Sequence, residues 1–64
     1  MCIINEMQQA VDKHDLTAIR KVVSQFRQCG LGYVRISRMF YTHCDLEHVE
    51  FDNLMQEIDH MVTT

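Results

Sequence analysis

Ile3, Ile4, Met7 and Val11 recur at helical spacing, which predicts a first short helix of about two to three turns. The stripe then changes phase. Leu16, Ile19, Val23 and Phe26 follow a three-four-three rhythm with Val22 beside it, but the step from Val11 to Leu16 rotates the apolar face by roughly 140° at about 100° per residue. One straight helix cannot hold both stripes in a single seam. A break is therefore expected at Lys13-His14-Asp15, with Asp15 as the N-cap of a second helix over about Leu16 to Cys29. The opposite face of that helix reads Thr17, Arg20, Lys21, Ser24, Arg27 and Gln28, and Gly30 supplies its C-terminal signal with Arg27 in the last turn.

Tyr33 to Tyr41 admits two readings. Val34-Arg35-Ile36-Ser37 alternates like a strand over one short run, whereas Tyr33, Ile36, Met39 and Phe40 fit a helical face that leaves Arg35 and Arg38 together on another. A lone strand would have no partner in this chain and would not be stable in water, so helix is the favoured reading. The last helix is plainer: Phe51, Leu54, Met55, Ile58, Met61 and Val62 form a tight stripe. Leu46 and Val49 lie almost opposite it, so either the chain bends near Val49 or the helix is gripped on two sides, and Asp45 is a candidate cap for the turn that begins there.

With 64 residues the chain is expected to form one domain, near the lower size at which a core can offset the entropy of ordering it. The expected fold is all-α, a small bundle of three to four short helices completed by homodimerisation. The apolar stripe of Phe51, Leu54, Met55, Ile58, Met61 and Val62 is most simply core, packing the acidic last helix against the basic middle, and it is also the candidate interface, because methionine-rich faces adapt to irregular surfaces. Three cysteines, Cys2, Cys29 and Cys44, have no framework spacing, and the start of the sequence, with Glu6 in place of a basic run, leads us to expect no secretory signal. Reduced thiols in a cytoplasmic protein are the expectation, with Cys29 and Cys44 as small buried apolar groups. No apolar run approaches the roughly 20 residues that span a bilayer.

Charge sharpens the picture. The net charge of −3 conceals a segregation: Arg20, Lys21, Arg27, Arg35 and Arg38 lie in a stretch without carboxylates, and Asp45, Glu47, Glu50, Asp52, Glu57 and Asp59 follow in one without Lys or Arg. Such a chain suits electrostatic pairing within itself, with a second copy or with a charged partner. Arg20, Arg27, Tyr33, Arg35 and Arg38 are the candidate partner-contact residues. They also allow a helix-turn-helix over residues 16–41, in which the second helix enters the major groove, Arg35 and Arg38 reach bases or phosphates, and Tyr33 and Arg27 hold phosphates. Gln25-Phe26-Arg27 and Gly32-Tyr33-Val34-Arg35-Ile36-Ser37-Arg38-Met39 locally resemble the winged-helix C-terminal domain of bacterial chromosome-segregation DNA translocases. That resemblance implies Tyr33, Arg35 and Arg38 on DNA; the sequence departs from it by two extra residues at Cys29 to Leu31 and by an acidic helix in place of a basic wing.

Carboxylates beside a recognition element weaken phosphate binding, which counterion release drives. A protein partner is accordingly the leading expectation: a small cytoplasmic regulatory or adaptor protein, of the kind found among bacterial or phage accessory proteins, that binds a larger protein. A DNA-binding transcriptional regulator is the alternative. His43, Cys44, His48 and His60 lack the paired short spacings of a zinc site, and neighbouring His43 and Cys44 point about 100° apart on a helix with no third group to orient them. The sequence thus predicts no metal, no cofactor, no small-molecule substrate and no catalysis.

Overall fold

The computed structural model describes residues 3–63, and the side chains of residues 3–61. Four helices follow one another: α1 (Ile3–Asp12), α2 (Leu16–Gln28), α3 (Tyr33–Cys44) and α4 (His48–Thr63). The fold is all-α and no strand occurs among the described residues. Residues 33–44 are helical, which decides between the two readings of that segment.

Each of the first three helices ends on a residue in the left-handed region, and those three turns give the chain its path. His14 (φ 51°) closes α1. Its N–H donates to the Val11 carbonyl at 3.1 Å and the Asp15 N–H reaches back to the Ala10 carbonyl at 2.9 Å, satisfying carbonyls that the helix end leaves open. Asp15 then turns outward as the N-cap of α2, accepting from the Ala18 N–H at 3.3 Å. Gly30 (φ 92°) closes α2 in the same manner, with Gly30 N–H on Arg27 O and Leu31 N–H on Phe26 O. Here glycine matters, because any Cβ in this conformation is strained.

Asp45 departs from the expectation. Rather than capping the next helix it terminates α3 in the left-handed conformation (φ 56°), its N–H donating to Tyr41 O; Asp is among the few non-glycine types that enter this region readily. This turn also disposes of the opposed pair Leu46 and Val49. Leu46 lies in the connection and drops into the core at 7 % exposure, while Val49, in the first turn of α4, stays 66 % exposed.

α1 packs on α2 and α3, and α4 packs on the same two, so α2 and α3 sit across the core from each other. Met7, Ile19, Ile36, Phe40 and Phe51 are essentially sealed from solvent, and Phe40 and Phe51 meet with ring centroids 5.0 Å apart. The radius of gyration, 10.8 Å, is what a folded domain of this length has, about 11 Å. One copy already closes its own core.

That closure gives the α4 stripe the first of its two expected uses, as core, in place of a free interface. Phe51, Leu54 and Ile58 are buried and Met55 is half-buried against the core, so the chain has used this face internally. Met61 is 40 % exposed at the rim. The side chain of Val62 lies outside the described residues.

Candidate interaction surface

α3 and α4 form an antiparallel hairpin, fixed by two polar contacts on its seam. Ser37 Oγ and His48 Nδ1 share a hydrogen bond of 2.8 Å. Tyr33 Oη donates to Asp52 Oδ1 at 2.5 Å. One turn forward along α3 thus matches one turn back along α4. Tyr33 also packs its ring against Phe51 and, edge-on, His48, with centroids at 5.4 and 6.2 Å. Partial burial, then the bond to Asp52 and the negative charges of Asp52 and Asp59, push the Tyr33 phenol up to about 12.

Helical phase shows what the hairpin turns outward. Going round α3 at about 100° per residue, Phe40 points to the core, Ser37 to α4, and then Tyr41, Val34 and Arg38 follow toward solvent. Going round α4, Phe51 points to the core, His48 and Asp52 to α3, and Val49 comes about 60° further out than Asp52. Val34 (72 % exposed), Tyr41 (57 %) and Val49 therefore share the outer side of one hairpin. On α3, Val34, Ser37, Arg38 and Tyr41 line a shallow groove of about 300 Å³ with His48 across it. Tyrosine and arginine are among the side chains that protein interfaces concentrate at their centres.

The candidate contact residues fall into separate neighbourhoods. Arg35 and Arg38 are exposed and form no ion pair among the described residues, so they do not fold onto the carboxylates that follow them in sequence. Arg20 and Arg27 lie on α2, where with Val23 and Ser24 they border Met55, Ile58 and Asp59 of α4. Tyr33 is half-buried and its hydroxyl is held by Asp52. Val34, Tyr41 and Val49 were not among the candidates, although Val34 and Tyr41 stand seven residues apart and off the phase of Ile36 and Phe40. That displacement is the signal that could have found them.

Further from this face, His14 Nε2 approaches Glu57 at 3.4 Å between two exposed side chains, tying the α1–α2 turn to α4. Gln8 Nε2 donates to the His43 carbonyl at 2.9 Å. Cys29 is exposed rather than buried, since it caps a helix end in solvent; Cys44 is half-buried, and burial together with the Asp12 charge pushes its thiol up. Among the described residues no three His, Cys, Asp or Glu side chains gather to hold a metal ion, and no helix is long and apolar enough to cross a membrane.

No family model matches this chain, and neither a curated protein nor a solved structure is similar to it.

Proposed function

We propose that this chain is a small cytoplasmic regulatory or adaptor protein that acts by binding a larger protein, and that it occurs as a homodimer when that partner is absent. The observation that carries the reading is the outer face of the α3–α4 hairpin, where Val34, Tyr41 and Val49 are exposed beside an Arg38 that forms no ion pair among the described residues. Exposed apolar side chains are ordinary singly, but three on one side of one hairpin, with a free arginine among them, favour a protein contact.

The DNA-binding alternative draws on the same Arg35 and Arg38. Against it stand the arrangement of α2 and α3 across the core instead of against each other, and the carboxylate of Asp52 beneath Tyr33, which repels a phosphate backbone.

Affinity capture with the tagged chain from its own cells, run with and without nuclease, tests the reading. The protein partner is expected to survive nuclease and to be lost with Val34→Asp or Tyr41→Asp. Capture that requires nucleic acid, or is indifferent to both substitutions, would overturn it.

A further inference from the structure

We propose that the larger partner presents an acidic amphipathic helix to the outer face of the α3–α4 hairpin, laid along α3 with an apolar side chain between Val34 and Tyr41 and carboxylates on Arg35 and Arg38. The inference rests on the reading of this face as a protein-docking surface and states the chemistry of its one occupant.

The shape of the face selects a helix. Val34, Arg38 and Tyr41 stand at steps of four and three along α3, so Val34 and Tyr41 are two turns apart, roughly 10 Å. The groove of about 300 Å³ runs between them, with Ser37 and His48 along its other side. The Ser37 hydroxyl is already bonded to His48, which leaves the space to an apolar side chain. A partner helix repeats its own apolar side chains at the same three-four steps and meets that spacing over two turns. An extended segment needs a sheet edge for its N–H and C=O groups, and α3 uses its own backbone in helical bonds.

Charge selects an acidic helix. Arg38 borders the groove and Arg35 stands one turn from it; both are exposed and form no ion pair among the described residues. α3 carries no carboxylate of its own. On α4, Asp52 is held by the Tyr33 hydroxyl, Glu50 and Glu57 border the cleft that holds His14 and Val11, and Asp59 lies toward Arg20 and Arg27 of α2. The face is therefore cationic, and arginine beside an apolar groove is matched by carboxylates flanking an apolar side chain. Asp45 and Glu47 follow in the connection beyond Tyr41, so the partner's carboxylates belong over the half of α3 that holds Arg35 and Arg38. A DNA duplex is the poorer match, because its phosphates would lie over Val34 and Val49, which offer them no donor.

Fluorescence anisotropy on the full chain provides the test, with circular dichroism on every variant. The labelled probes are a model amphipathic helix of about four turns with leucine on its apolar face and glutamate beside it, the same peptide with lysine for glutamate, and a DNA duplex of similar length. The glutamate peptide is expected to bind tenfold or more tighter than the lysine peptide. R35E/R38E reverses that preference, and Val34→Asp weakens the glutamate peptide tenfold or more, both at undiminished helicity. Because the chain carries a net charge of −3, contact without a site would favour lysine. No binding of the glutamate peptide, binding no tighter than that of the lysine peptide, or a preference that survives R35E/R38E would overturn the acidic helix as occupant. Tighter binding of the duplex, lost in R38E, would overturn it in favour of nucleic acid. A captured partner lost on Val34→Asp, with no preference between the peptides, removes only this inference, whereas capture indifferent to that substitution removes the docking reading itself.

Discussion

α3 and α4 are both amphipathic, yet they use their apolar residues in opposite ways. α4 turns a continuous stripe, Phe51, Leu54 and Ile58, into the core. α3 buries Ile36 and Phe40 and leaves Val34 and Tyr41 outside on a different phase. A regular stripe is what a helix needs in order to bury one face, so the more regular pattern marks the core. Apolar residues out of step with it satisfy nothing within the chain, and those are the ones to examine for a partner.

Substitutions can break this contrast. The largest effect is expected from Phe51→Ala, which removes a fully buried ring in contact with Phe40 and Tyr33 and costs about 3–5 kcal/mol. For a domain this small that is comparable to the whole stability, and a chemical denaturation curve should show the variant largely unfolded in buffer. Ser37→Ala is expected to cost about 1 kcal/mol by leaving His48 without its partner on the hairpin seam, read as a lowered denaturation midpoint at unchanged slope. Val34→Ser and Tyr41→Ser, on the outer face, should each stay within about 0.5 kcal/mol of the unchanged protein. If these two were as costly as Ser37→Ala, the outer face would be part of the core.

The Tyr33–Asp52 contact sharpens the same point by pH. The folded phenol titrates near 12, above its ordinary 10.0. Folding therefore favours the neutral form: the contribution is complete below pH 10 and is lost as pH rises through about 12. Tyrosinate absorbance should show a step near pH 12 that disappears in Tyr33→Phe, while the hairpin loosens over the same window.

Much of the fold was legible in the sequence because helical spacing is a local property. The phase break after Val11, the Asp15 cap and the Gly30 stop all follow from residues that act on their own backbone, and each stands where expected. The left-handed His14 and Asp45 were not legible, since neither residue type compels that conformation. Charge misled in a different way. The cations and carboxylates segregate in sequence, but Arg35 and Arg38 project away from α4 because the turn at Asp45 sets α3 and α4 side by side with Ser37 and Tyr33 on the seam. Opposite charge along a chain does not by itself bring two side chains to one place.

The central claim is that the outer face of the α3–α4 hairpin is dispensable for folding and necessary for binding. The most direct measurement pairs a thermal melt with partner capture on the Val34→Asp, Tyr41→Asp double variant. The expected result is a melting temperature close to that of the unchanged protein together with loss of the bound chain. A variant that melts far lower, or one that retains binding undiminished, would contradict it.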